Sequence, residues 1–152
     1  MKKILLSVAL IATSGTAYCA NGNIGFGFGV EREGVDLSLD YTLPKTGFES
    51  YKAFLRYQGS SVSSLNQNLM LGFAAGVYGN WGPYSAYILP GAALNLIEND
   101  GLALGPSVEI GALCAIDSQI SIGFSKFDNW IWLGKKRGLW NSSFLLNFDY
   151  KI

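Results

Sequence analysis

The sequence predicts an all-β chain, an eight-stranded antiparallel up-and-down transmembrane β-barrel that follows a cleaved signal peptide. Three observations carry that prediction. The N terminus has the layout of an export signal, and the rest of the chain repeats with a period of two. The two faces of that repeat are unequal, one bulky and apolar, the other made of glycine, small polar residues and charges.

The export signal is read from Lys2 and Lys3, an apolar run from Ile4 to Ala12, and the small-residue stretch Thr13-Ser14-Gly15-Thr16-Ala17. That run is much shorter than the ~20 residues of a membrane-spanning helix. The expected division is 1–19 signal peptide and 20–152 single barrel domain, and cleavage after Ala17 or after Cys19 suits the small residues present. Bulky Tyr18 disfavours a lipid anchor on Cys19. Cys114 is the thiol certain to survive processing, so no structural disulfide is expected.

Composition points the same way. Charged residues are 14% of the 152, against about 25% in an ordinary soluble domain, and there are 19 glycines. The formal net charge is zero, which leaves no basic footprint for nucleic acid.

The alternation defines the strands in order. Ile24, Phe26, Phe28 and Val30 alternate with Gly25, Gly27, Gly29 and Glu31, and Val35, Leu37, Leu39, Tyr41 and Leu43 with Asp36, Ser38, Asp40 and Thr42. Tyr51 to Gln58 and Leu69 to Tyr78 repeat the pattern. Tyr84 to Ile97, Leu102 to Ile116, Gln119 to Phe127 and Leu139 to Ile152 complete eight strands. Asn80-Trp81-Gly82, Glu98-Asn99-Asp100-Gly101 and Asp117-Ser118 supply turn chemistry with Gly and Asn available for positive φ. Pro90 and Pro106 each remove a ladder donor, so bulges or breaks are expected there. Connections two, four and six are short, as periplasmic turns of an even-stranded barrel should be. The longest, Gly59 to Asn68 and Asp128 to Arg137, fall on the outer side.

The apolar parity is expected to face lipid. A soluble periplasmic lipocalin-like barrel would turn it inward, but an eight-stranded interior has no room for so many bulky side chains. Its exterior would then display Gly25, Gly27, Gly29, Gly72, Gly76, Gly105, Gly111 and Gly123 instead of solvating charges. No charge occurs between Tyr57 and Ile97. Two aromatic girdles are expected, Tyr41, Tyr51, Tyr78, Trp81, Tyr84 and Tyr150 at the periplasmic ends, Tyr57, Trp130, Trp132 and Trp140 at the outer ends.

In this pattern the mature chain resembles small eight-stranded bacterial outer-membrane proteins, with no motif of a single family. Its last strand, from Phe144 to Ile152, looks like the C-terminal assembly signal of such proteins. The resemblance implies recognition by the outer-membrane assembly machinery through Phe148, Tyr150 and Ile152, although Ile152 stands where an aromatic is usual.

Inward parity places Asp36, Asp40, Lys52, Arg56, Glu109, Asp149 and Lys151 in the lumen, with Ser38, Gln58, Asn95, Ser107, Asn141 and Asn147. A hairpin around Lys45 is expected to set Asp40 opposite Lys52, Asp36 opposite Arg56 and Tyr41 opposite Tyr51. Paired in this way, Asp36, Asp40, Lys52, Arg56 and Glu109 form an ion-pair plug, because an unpaired buried ion is costly. The chain has no histidine, so it lacks the usual general base and the commonest transition-metal ligand. No catalytic residue, metal or cofactor is expected. Cys114 falls on the lipid parity as a small apolar residue. Gly25-Phe26-Gly27-Phe28-Gly29 lacks phosphate-loop spacing. The seventh connection combines Trp130 and Trp132 with Lys135, Lys136 and Arg137, an interface anchor or a contact for lipopolysaccharide phosphates. The expected function is a non-enzymatic outer-membrane barrel with a structural or surface-interaction role. A soluble ligand carrier, a barrel enzyme and a narrow channel are the alternatives.

Overall fold

The computed structural model describes residues 22–31, 34–43, 49–60 and 67–152. Eight strands follow one another: β1 (Asn23–Glu31), β2 (Gly34–Thr42), β3 (Glu49–Ser60), β4 (Gln67–Trp81), β5 (Tyr84–Ile97), β6 (Gly101–Ala115), β7 (Ile120–Trp130) and β8 (Trp140–Lys151). Each pairs antiparallel with its neighbour in the chain, and β1 pairs with β8 from Asn23↔Lys151 to Glu31↔Ser143. The result is a closed barrel, with no unpaired edge. The signal-peptide expectation, the hairpin apex at Lys45 and most of the third connection lie outside the described residues.

Alternation sets which side chain goes where. Phe26, Phe28, Leu37, Leu71, Phe73, Ile110, Phe124 and Phe144 all stand exposed on the outer surface, while Gly25, Gly27, Asp36, Asp40 and Met70 on the other parity are buried inside. The start of β1, the end of β8 and the facing ends of β2 and β3, β4 and β5, and β6 and β7 lie at one end, here the terminal end. The connections after β5 and β7 stand at the opposite, loop end, where β1 and β3 also finish. Turn chemistry falls where expected: Gly82 (φ 62°), Asn99 (φ 66°) and Gly101 (φ 82°) are left-handed. Asp117 Oδ1 accepts the backbone N–H of Gln119 and Ile120, both at 2.7 Å. Those two bonds hold its carboxyl below the usual carboxylate range.

Three expectations need correction. The β2–β3 ladder sets Asp40 opposite Phe54, Asp36 opposite Gln58, and Tyr41 opposite Ala53, an offset of two residues from the tight hairpin. The connection from Thr42 to Glu49 is longer than that hairpin allows. Because the offset is even, every side chain keeps its face. Tyr78 does not join the girdle: it is buried in the lumen, stacked on Tyr87 with ring centroids 5.5 Å apart. Its alternation with Val77 already put it on the inner parity. Neither proline breaks its strand, and of the two expected bulges the one beside Pro106 is present and the one at Pro90 is not. Around Pro90 the β4–β5 ladder skips from Ala74↔Gly91 to Val77↔Ile88 without changing register.

Pro106 marks a larger event. The β6–β7 ladder ends at Ser107↔Asn129 and resumes at Leu104↔Leu133, with one extra residue on the β7 side. The N–H groups of Trp132 and Leu133 both donate to Leu104 O at 3.0 Å, the mark of a bulge.

The lumen is solid. Phe54, Met70, Tyr87, Leu89, Phe127 and Leu145 form its apolar filling, and Ile97, Ala103 and Ile131, backed by Leu139, cap the loop end. Glycines make the remaining room. A Cβ on Gly27 would run into Ser38, and one on Gly72 into Phe54. At Gly123 the obstacle is backbone: a Cβ would collide with Ala112 O and lie 2.7 Å from Leu113 Cα. Gly123→Val is therefore expected to lower stability by about 1–3 kcal/mol, read as a lower urea midpoint for the protein folded in phospholipid vesicles.

Candidate functional site

The polar residues of the lumen converge on Glu109, which projects from β6 toward the opposite wall. Its Oε2 accepts Arg56 Nη2 at 2.7 Å, and its Oε1 accepts both Lys52 Nζ at 3.1 Å and the Tyr87 hydroxyl at 2.8 Å. Lys52 also meets Asp40 at 3.4 Å, and Arg56 meets Asp36 at 3.8 Å. These two contacts are diagonal across the β2–β3 ladder, within reach of long side chains. The expected partners thus meet in the shifted register. The guanidinium of Arg56 also lies 3.8 Å over the Phe127 ring, a cation–π contact in the buried interior.

A second chain of bonds runs around the wall. Ser143 donates to Asp36 Oδ2 at 2.5 Å, Gln58 donates to the same oxygen at 3.3 Å, and Asn68 donates to Gln58 at 3.4 Å and to Asn95 at 3.0 Å. Ser143 on β8 reaches Asp36 on β2 across β1, which carries only glycine on its inner face between Asn23 and Glu31. Lys151, expected inside, is exposed at the terminal rim, and Asp149 is half-buried beside a cavity of about 10 Å³.

The expected lumen set of Asp36, Asp40, Lys52, Arg56 and Glu109 therefore comes together. Sequence reasoning missed Tyr87, Phe127 and Asn68. β5 is apolar on both parities, so only the shared parity of Asn95, eight residues on, marked Tyr87 as inward. The inward parity of Met70 did mark Asn68.

At the loop end the seventh connection, 131–139, folds back on the barrel. Ile131 exchanges backbone bonds with Leu139 and Gly138, and Lys136 Nζ reaches Asp100 Oδ2 at 3.4 Å. Two left-handed glycines shape it, Gly134 (φ 117°) and Gly138 (φ 88°). Trp130 stacks on Trp140 across β7–β8 and meets Trp132 edge-on. Trp130, Trp132 and Arg137 line a shared concavity of about 470 Å³, whereas Lys135 is exposed outside it. Below the tryptophans, on the outer face, Lys126 pairs with Asp128 at 2.8 Å, and Asp128 also accepts the Trp140 indole N–H at 3.1 Å. This pair was not expected, since Asp128 was assigned to the loop; β7 continues to Trp130.

No family model and no curated protein matches the chain by sequence. Its structure does find counterparts. Neisserial surface protein A aligns over 87% of this chain and 95% of its own, with TM-score 0.68 and 10% identity. The N-terminal β-barrel domain of Pseudomonas aeruginosa OprF aligns over 86% and 97%, with TM-score 0.66 and 11% identity. The outer membrane enzyme PagL aligns over 86% and 99%, with TM-score 0.62 and 14% identity. The likeness is one of fold. This chain has the closed eight-stranded architecture of outer-membrane barrels, a fold that both enzymes and other proteins use.

Glu109 holds two cations, so its loss leaves both under-compensated in a buried site. Glu109→Gln is expected to lower stability by about 3–5 kcal/mol, measured by urea unfolding in vesicles. A loss below about 1 kcal/mol would contradict a structural role for the network.

Proposed function

We propose that this protein is a small non-enzymatic barrel embedded in the outer membrane, with a structural or surface-interaction role. The observation that carries the reading is an apolar exterior around a filled interior. Leu71 is 60% exposed and Phe124 71%. Each such side chain in water would forfeit about 1.5–3 kcal/mol of burial, and a continuous belt of them suits hydrocarbon. Strands of 9 to 15 residues are long enough for tilted crossing.

A filled lumen disfavours the alternatives. A ligand carrier needs a pocket of about 300–1,000 Å³, and a channel needs a continuous water path. The lumen instead holds paired charges and an apolar cap of Ile97, Ala103 and Ile131. An acyl-transfer or hydrolytic mechanism would have to proceed without histidine.

In this reading the terminal end is periplasmic, and the loop end with its seventh connection faces outward. Exposed Phe148 and Tyr150 on the last strand and Ile152 just beyond it serve recognition by the assembly machinery, and the lipid partner includes lipopolysaccharide. The protein should fractionate with outer membranes, migrate differently on a denaturing gel before and after boiling, and show no large stable conductance in planar bilayers. A detergent-free soluble monomer, or porin-like conductance, would overturn the proposal. Leu71→Arg, near the middle of β4, should destabilise the vesicle-folded protein by about 2–4 kcal/mol. A water-facing site would tolerate the change.

A further inference from the structure

The three basic residues of the seventh connection look equivalent in sequence, but they are not equivalent in space. Lys136 is committed to Asp100 and so fastens the loop to the β5–β6 turn. Arg137 lies on the rim of the concavity whose walls are Trp130, Trp132 and Leu133. Neither Arg137 nor Lys135 forms an ion pair with the described residues. The concavity therefore joins an apolar, aromatic wall to a guanidinium with free donors.

We propose that this concavity binds one lipopolysaccharide molecule, its acyl portion lying on Trp130, Trp132 and Leu133 and a phosphate held by Arg137, with Lys135 adding charge nearby. The inference deepens the proposed surface-interaction role and rests on the membrane location. Four observations argue for this occupant.

The apolar residues are left in place to meet hydrocarbon. Trp132 is 55% exposed and Leu133 62%, and the neighbouring Leu102 and Leu104 on β6 are exposed too. The polar component is cationic and unspent, which complements phosphate rather than an ammonium headgroup, and a planar guanidinium can engage two phosphate oxygens at once.

The site is also held ready. Leu104 bonds Trp132 and Leu133, Ile131 bonds Gly138 and Leu139, and Lys136 clamps Asp100. Gly134 permits the close approach: a Cβ there would lie 2.8 Å from Ala103 Cβ, and the backbone is left-handed as well. A site fixed in this way gives up little conformational entropy on binding. Last, the volume of about 470 Å³ accommodates part of a lipid, which leaves the rest of its chains along the outer face of β6 and β7.

The test uses the full mature protein folded in detergent micelles, with the folded state first verified by its heat-modifiable gel migration. Failure to fold in micelles, or recovery as a soluble monomer, would sink the membrane reading itself. With folded protein, native mass spectrometry reads retained lipopolysaccharide, and tryptophan fluorescence follows its titration. Dephosphorylated lipopolysaccharide and phosphatidylglycerol serve as comparison lipids.

The expected result is a single retained lipopolysaccharide, with Arg137→Ala weakening binding about tenfold. Trp132→Ala should weaken it similarly, Lys151→Ala at the opposite rim by less than about threefold, and dephosphorylated lipid should bind as poorly as the Arg137→Ala protein binds the intact one. Equal losses for Lys151→Ala and Arg137→Ala would overturn the assignment in favour of diffuse charge attraction. Equal retention of phosphatidylglycerol would overturn it in favour of a general anionic-lipid surface. A stable dimer that Trp132→Ala dissociates would assign the patch to a second copy of the chain instead.

Discussion

Two cations from one wall and one carboxylate from the opposite wall meet in the middle of this barrel, and much of the interior is arranged around that meeting. Arg56 and Lys52 leave β3 with long, flexible side chains, and Glu109 on β6 takes both. Each ion would be expensive to bury alone. The hydroxyl of Tyr87, the ring of Phe127 and the carboxylates of Asp36 and Asp40 complete the cage. With the centre occupied in this way, the remaining space is small, and glycines on β1, β4, β6 and β7 take up positions that a larger residue could not share.

Much of the fold was legible because the chain repeats one pattern, most plainly in β1 to β4. A period of two needs no tertiary knowledge, and the contrast between Phe26 or Phe28 and the glycines beside them gives the direction of each face. Strand ends fell within a few residues of the turn signals. What could not be read was distance along a strand. The β2–β3 register differs by two from the simplest hairpin, and an alternating sequence is silent about even shifts, because they move every residue and reverse none.

The candidate site was legible in membership and not in wiring. Asp36, Asp40, Lys52, Arg56 and Glu109 were assigned to the lumen by parity alone. Glu109 as their hub depends on β3 and β6 facing one another across a closed barrel, a relation that exists only once the sheet has curled. Tyr78 shows the reverse error. An aromatic near a strand end suggests a membrane interface, yet its parity turned it inward, and parity was the stronger constraint. Loop 131–139 was recognised by composition, whereas the separate duties of Lys136 and Arg137 required knowing that Asp100 stands next to one of them.

The glycine face of β1 also bears on the order of assembly. Between Asn23 and Glu31 this strand turns no side chain larger than a hydrogen atom toward the interior, and Ser143 already reaches Asp36 across it. The contents of the barrel can therefore be settled among β2 to β8 before the first strand arrives. The strand itself closes the seam between β2 and β8 through backbone pairing and adds no inward side chain between Asn23 and Glu31. A chain built in this way can leave its wall open until last while its interior is already in place.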